Sequence, residues 1–143
     1  MKLLFVCTGN TCRSPMAQAL AEKLFSEKGV ESQCDSAGLF AIPGQSTAEN
    51  ALAVLKTFYG ISSFFHEAKP CTKELIAESD LVITMTENHK SLLIQLFGGA
   101  EKVMAFPTEV GDPFGGDLET YRRCAEKIEK GLEELWREGV LHG

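Results

Sequence analysis

Long hydrophobic segments are absent from this sequence. No apolar run approaches the roughly 20 residues that a transmembrane helix requires, and Met1 and Lys2 lead into a short apolar stretch rather than a signal peptide. Repeats and segments of biased composition are also missing. These absences exclude a membrane-spanning or fibrous protein and predict a cytoplasmic one. The 143 residues suffice for one domain, residues 1–143, which folds around a single core without disulfides or metals.

Positive charge and paired cysteines are scarce as well. Lys and Arg number 14 against 20 Asp and Glu, so the chain lacks the clustered cations of a nucleic-acid surface. The five cysteines, at positions 7, 12, 34, 71 and 124, are odd in number and scattered, which favours free thiols. The three histidines, at positions 66, 89 and 142, are too scattered for a metal site, and each is expected in the core or in solvent. We therefore expect no metal, no cofactor and no nucleic-acid partner.

Short apolar runs alternate with amphipathic stretches along the chain. The runs predict four strands, at residues 2–6, 30–34, 80–85 and 102–106. The amphipathic stretches predict helices at 14–29 with Ser14 as N-cap, at 46–58 behind a capping box that begins at Ser46, at 72–78, at 86–97 and after Asp117. This order predicts an α/β fold, a four-stranded parallel sheet with helices on both faces. Such sheets bind ligands at the carboxyl ends of their strands.

A motif with chemical meaning joins the first strand to the first helix. It reads Cys7-Thr8-Gly9-Asn10-Thr11-Cys12-Arg13-Ser14, and neither a Walker A loop nor a dinucleotide-binding glycine run occurs elsewhere. A loop of this length before a helix can turn successive backbone N–H groups inward, which forms a nest for an anion. The helix dipole adds positive potential, and Arg13 can bind two oxygens of a tetrahedral phosphate. We expect Gly9 to permit a left-handed turn, while Asn10 tolerates one and braces the loop.

The motif also contains a nucleophile. Its positive potential favours the thiolate of Cys7, which is the form that attacks phosphorus and gives a phosphocysteine intermediate. The nest and Arg13 then stabilise the equatorial oxygens, Ser14 hydrogen-bonds to the sulfur, and water completes the hydrolysis without a metal. The leaving group needs an acid, for which Asp112, in the loop after the fourth strand, is the candidate. Asp117 is the alternative acid, although its position favours an N-cap of the last helix.

These motifs resemble a known family. Cys-x4-Cys-Arg-Ser near the start, the Ser-Ala-Gly run at 36–38 and Asp-Pro-Phe at 112–114 resemble the low-molecular-weight protein tyrosine phosphatases over essentially the whole chain. The resemblance implies that Cys7 is the nucleophile, Arg13 the phosphate ligand and Asp112 the general acid. It also implies that Asn10 and Ser14 support the loop. It also implies that Cys12 can form a reversible disulfide with Cys7, which protects the nucleophile from irreversible oxidation. We expect phosphorylated proteins as partners, and a monomeric chain.

Residue 11 carries information about which group is dephosphorylated. Tyrosine-directed relatives generally have an aliphatic side chain there, which suits a phenyl ring. Thr11 instead offers a hydroxyl that can accept a hydrogen bond from a guanidinium, and in this it resembles the bacterial protein-arginine phosphatases of the same fold. Phosphoarginine is therefore the favoured substrate and phosphotyrosine the alternative. Phe40 and Phe114 are expected as walls of the cleft, although either ring can instead belong to the core.

Two other functions use comparable features. Thiol-coupled arsenate reductases share the fold and the loop, but they need a closely spaced downstream cysteine pair, and Cys71 has no such neighbour. A non-catalytic phosphopeptide-binding module has no need of Cys7, Arg13 and Asp112 together. The sequence therefore favours a phosphatase over both.

Overall fold

A four-stranded parallel sheet forms the centre of the computed structural model, which describes residues 1–141. The strands are β1 (Lys2–Cys7), β2 (Gln33–Gly38), β3 (Leu81–Thr84) and β4 (Val103–Ala105). Their order across the sheet is β2-β1-β3-β4, and each neighbouring pair is parallel. Because β1 is paired on both sides, its end at Cys7 lies beside the carboxyl ends of β2 and β3.

Helices cover both faces of the sheet, as the alternation of elements predicts. They are α1 (Arg13–Lys28), α2 (Glu49–Tyr59), α3 (Lys73–Glu78), α4 (Glu87–Phe97) and α5 (Leu118–Arg137), with a 3-10 turn at Ala100–Lys102. Side chains alternate along β1, so that Leu3 and Phe5 join the core formed with α1, α2 and α5. Leu4 and Val6 point to the opposite face and join the core formed with α3 and α4. Among the residues described, no helix has the length and apolar character needed to cross a membrane.

The start of the first helix differs from its prediction. α1 begins at Arg13 with Cys12 as N-cap, and that N-cap makes no side-chain hydrogen bond. Ser14, predicted as the cap, is a helical residue whose hydroxyl lies 2.9 Å from the sulfur of Cys7. The prediction was wrong because the hydroxyl serves the loop that precedes the helix.

Two further boundaries were misplaced by sequence reasoning. β2 begins at Gln33, three residues later than predicted, because residues 33–38 pair in register with β1, so the Ser-Ala-Gly run at 36–38 lies inside the strand. α2 begins at Glu49, and its N-cap Ala48 has no side-chain hydrogen bond. Ser46 forms no capping box, since its backbone makes an isolated bridge with Glu67. The predicted caps Thr86 and Asp117 are confirmed, because each accepts a hydrogen bond from a backbone N–H of its helix.

Candidate active site

The residues between β1 and α1 fold into a closed loop at the carboxyl edge of the sheet. Asn10 has φ of 56° and makes the left-handed turn, whereas Gly9 is not left-handed. The prediction for Gly9 was therefore wrong, and Asn10 alone supplies the turn. Gly38, at the end of the neighbouring strand β2, lets this loop approach the sheet. A Cβ on Gly38 would lie 2.6 Å from the carbonyl oxygen of Thr8 and 3.0 Å from the amide nitrogen of Asn10.

The sulfur of Cys7 is buried and surrounded by hydrogen-bond donors. The backbone N–H of Asn10 donates to it at 3.3 Å, and the hydroxyl of Ser14 lies 2.9 Å away. The side-chain Nδ2 of Asn10 donates to the Ser14 hydroxyl at 2.8 Å, and the Cys7 sulfur is a nearer acceptor for the hydroxyl proton than the carbonyl oxygen of Ala37 at 3.5 Å. Donors arranged in this way stabilise a thiolate, and they match the support that was predicted for Asn10 and Ser14.

A histidine distant in sequence holds the loop from behind. The side-chain oxygen of Asn10 accepts hydrogen bonds from His66 Nε2 at 2.9 Å and from the backbone N–H of Lys69 at 3.0 Å. Burial lowers the pKa of His66, and the Lys69 cation lowers it further, so the neutral imidazole acts as the donor. Sequence reasoning expected His66 in the core or in solvent. The structure places it half-buried, and no local signal in the sequence indicated its contact with Asn10.

Arg13 is buried and is held by several oxygens around the loop. Its Nη1 donates to the carbonyl oxygen of Val110 at 3.0 Å, and its Nη2 donates to Thr8 Oγ1 at 3.5 Å. Nη2 also lies 3.9 Å from Asp112 Oδ2. The guanidinium therefore joins the loop after β1 to the loop after β4, and it places the predicted phosphate ligand beside the predicted acid.

Asp112 is half exposed at the mouth of the site. Its Oδ1 accepts a hydrogen bond from the backbone N–H of Phe114 at 3.0 Å, while Pro113 between them is buried and stiffens the turn. Asp117, the alternative acid, accepts hydrogen bonds from the backbone and hydroxyl of Thr120, which lower its pKa. A carboxylate held ionised in this way is poorly suited to donate a proton, so the geometry favours Asp112.

Thr8 has a second partner that the sequence did not indicate. Its Oγ1 lies 2.8 Å from Nε2 of His89, a residue in the first turn of α4. His89 is buried with 8% of its surface exposed, and burial together with the nearby charge of Arg13 lowers its pKa to about 4. The core position expected for this histidine is therefore correct, but its contact with the phosphate loop was missed.

Cys12 lies behind the loop, away from solvent. Its sulfur is 3.3 Å from the hydroxyl of Tyr121 and 3.7 Å from Thr11 Oγ1. All five cysteines are free thiols. Burial raises the pKa of the Cys34 and Cys71 thiols to about 11 and that of Cys124 to about 12, which makes them inert structural thiols at neutral pH. A disulfide between Cys7 and Cys12 stays a prediction.

The two aromatic residues expected to line the cleft are both exposed. Phe40 is 64% exposed and Phe114 is 78% exposed, so neither belongs to the core. The backbone N–H of Phe40 donates to the carbonyl oxygen of Thr8, which fixes this segment against the loop. Ile42, two residues further on, is also exposed, at 65%.

Known proteins that are similar to this chain are phosphatases. The chain is 36% identical to the protein-arginine-phosphatase of Bacillus subtilis over 94% of each chain. It is also 36% identical to the low molecular weight protein-tyrosine-phosphatase PtpB of Staphylococcus haemolyticus, over 90% of this chain and 92% of that protein.

A solved structure is similar over almost its full length. It is the arginine phosphatase YwlE as a cysteine-to-serine variant with a phosphorylated active-site serine, 35% identical, with a TM-score of 0.91 over 97% of this chain and 95% of that one. Residues 2–140 match the family model described as low molecular weight phosphotyrosine protein phosphatase. The family model covers nearly the whole chain and the relatives agree with it, so the chain belongs to the low molecular weight phosphotyrosine protein phosphatase family.

Proposed function

We propose that this phosphatase hydrolyses phosphorylated protein side chains through Cys7, Arg13 and Asp112. The Cys7 thiolate attacks phosphorus, the bond from phosphorus to the leaving group breaks, and Asp112 gives its proton to the departing atom. Water then attacks the phosphocysteine while the Asp112 carboxylate takes up a proton. The sulfur–phosphorus bond breaks, which releases phosphate and regenerates the thiolate.

The observation that carries this proposal is the buried Cys7 sulfur, which contacts the hydroxyl of Ser14 and the backbone N–H of Asn10. On the other side of the loop, Arg13 Nη2 lies 3.9 Å from Asp112 Oδ2. Donors fixed before the substrate arrives need no reorganisation as charge develops in the transition state. The phosphorylated serine in the YwlE variant supports a covalent phosphoenzyme, since it stands in for a phosphorylated cysteine.

Phosphoarginine is the substrate that we favour, because of Thr11. Within residues 1–141 the hydrogen-bond partner of its hydroxyl is the sulfur of Cys12 at 3.7 Å, so the oxygen keeps acceptor capacity for a guanidinium. The relative from Bacillus subtilis named a protein-arginine-phosphatase supports this assignment. The tyrosine-phosphatase relative and the exposed rings of Phe40 and Phe114 support phosphotyrosine as the second candidate, because such rings can flank a phenyl group.

The test compares two peptides of the same sequence, one with phosphoarginine and one with phosphotyrosine. We expect the wild type to hydrolyse the phosphoarginine peptide with the higher kcat/KM. Thr11→Ile removes the acceptor and should shift the ratio toward phosphotyrosine by about tenfold or more, since a lost hydrogen bond to a charged group has roughly that effect.

Two variants serve as controls for this comparison. Thr11→Ser keeps a hydroxyl and should keep the preference for phosphoarginine, while Cys7→Ser should lose turnover of both peptides. Faster hydrolysis of phosphotyrosine by the wild type would remove the arginine assignment and leave the phosphatase assignment intact. Turnover by Cys7→Ser would remove the nucleophile assignment.

A further inference from the structure

His89 is a buried polar side chain for which the reaction so far has no use. It lies in the first turn of α4, and its backbone N–H donates to the hydroxyl of the N-cap Thr86 at 3.1 Å, which fixes its position. Its Nε2 lies 2.8 Å from Thr8 Oγ1. Its Nδ1 is buried and has no hydrogen-bond partner among residues 1–141. An orphaned ring nitrogen lowers stability, so an apolar side chain would suit a purely structural role better.

The partner of His89 stands next to the nucleophile. Thr8 follows Cys7 directly, and its Oγ1 accepts a hydrogen bond from Arg13 Nη2 at 3.5 Å. A guanidinium can only donate, and a hydroxyl has one proton to give. The Thr8 oxygen therefore accepts from Arg13, and toward Nε2 of His89 the hydroxyl either gives its proton or accepts with its second lone pair. Either bond fixes the position of the hydroxyl.

The charge of the His89 imidazole is set by its surroundings. Three charged groups act on His89: the Arg13 guanidinium disfavours the imidazolium, while the carboxylates of Glu109 and Asp112 favour it. Burial has the largest effect, and together with Arg13 it lowers the pKa of His89 to about 4. The neutral form therefore dominates at neutral pH, so His89 adds no second positive charge beside Arg13.

We propose that His89 is a positioning residue of the phosphatase reaction: it orients the Thr8 hydroxyl, and Thr8 in turn holds Nη2 of Arg13. Nη2 is the nitrogen that lies 3.9 Å from Asp112 Oδ2, while Nη1 is anchored on the carbonyl oxygen of Val110. The two bonds, one to each terminal nitrogen, restrict rotation of the guanidinium at the loop. The proposal rests on the role proposed above for Arg13 as phosphate ligand.

The test measures kcat and KM for an aryl phosphate, the inhibition constant of inorganic phosphate and the midpoint of thermal unfolding. His89→Leu should lower kcat by about tenfold and weaken phosphate inhibition, because one oriented hydrogen bond is lost, while the midpoint stays or rises. His89→Gln places an amide oxygen near the Thr8 hydroxyl and should recover most of the lost kcat. Asn88→Ala, an exposed substitution in the same turn, controls for changes in α4.

A double-mutant cycle identifies the route through Thr8. Thr8→Val should lower kcat as much as His89→Leu does, and the double variant should be no slower than Thr8→Val alone. Additive losses would overturn the proposal, as would wild-type kcat in His89→Leu or a loss that parallels a fall in the unfolding midpoint and that His89→Gln does not reverse.

Nitrogen-15 NMR of the imidazole tests the contact with Thr8 directly. A change in the Nε2 chemical shift on Thr8→Val at neutral pH supports the proposal, and an unchanged Nε2 shift overturns it. Failure of the wild type to hydrolyse the aryl phosphate would instead contradict the proposed function, so the two failures are distinguishable.

Discussion

Individual polar side chains in this site each have a defined task. Asn10 shows this most fully, because one residue makes the left-handed turn, donates to Ser14 and accepts from His66 and the backbone of Lys69. Each of its side-chain atoms is satisfied, which holds the loop in one conformation before a phosphate arrives. A loop fixed in this way stabilises charge without paying for reorganisation during the reaction.

Substitution of Asp112 tests whether its carboxyl group is the general acid that protonates the leaving group. Asp112→Asn removes the proton that the leaving group needs, so we expect kcat for an alkyl or phenyl phosphate ester to fall by about 10²–10⁴-fold. A nitrophenyl ester, whose leaving group needs less protonation, should lose less. Steady-state kinetics over a series of leaving groups measures this difference.

Asp117→Asn is the matched control for the acid. Asn caps a helix as well as Asp does, so this variant should keep both its stability and its rate. A large rate loss in Asp117→Asn, together with an unchanged rate in Asp112→Asn, would show that Asp117 rather than Asp112 is the general acid.

At the scale of elements, α5 packs against the start of the segment that leads from β4 to Asp112. Gly131 of α5 lies against the ring of Phe106, the residue that follows β4 and starts the chain toward Asp112. A Cβ on Gly131 would overlap the Phe106 ring, and both residues are buried. The glycine therefore permits the close approach of a helix and a ring.

Gly131→Ala should destabilise the protein although alanine favours helices. The gain in helix propensity is about 1 kcal/mol, but overpacking against Phe106 costs about 1–3 kcal/mol, so the free energy of unfolding should fall. Urea denaturation measures this change. Adding Phe106→Leu should restore part of the loss, and Lys130→Ala on the exposed side of α5 should change little. A stabilised Gly131→Ala variant would contradict this packing.

At the scale of the whole molecule, His89 links stability to pH. Its pKa is lowered from an ordinary value near 6.5 to about 4, so the unfolded chain binds a proton that the folded chain refuses between these values. Stability contributed by this group is present above pH 6.5 and is lost as the pH falls toward 4, at up to about 1.4 kcal/mol per pH unit.

The prediction compares the wild type with His89→Leu by urea denaturation between pH 7 and pH 4. The difference in unfolding free energy between the two proteins should move in favour of the variant as the pH falls, because the other titrating groups are common to both. Parallel curves would show that His89 keeps an ordinary pKa in the folded protein.

Much of the fold followed from local patterns, because apolar runs and amphipathic stretches report burial directly. The caps at Thr86 and Asp117 were predictable since a cap bonds to residues two or three positions away. The start of β2 was not, because its register with β1 decides which residues pair. Ser14 was misassigned as a cap since its hydroxyl contacts Cys7, a tertiary preference that overrides helix-capping propensity.

What the sequence by itself determined about this protein is the loop from Cys7 to Arg13. The predicted anion nest, nucleophile and arginine are parts of one continuous segment, so the order of the residues alone indicates their chemistry. Only the tertiary structure decided what surrounds them. His66, His89 and Val110 contact loop residues 56 to 97 positions away. Parallel pairing brings the carboxyl ends of all four strands to one edge of the sheet, where β3 leads to His89 and β4 leads to Val110.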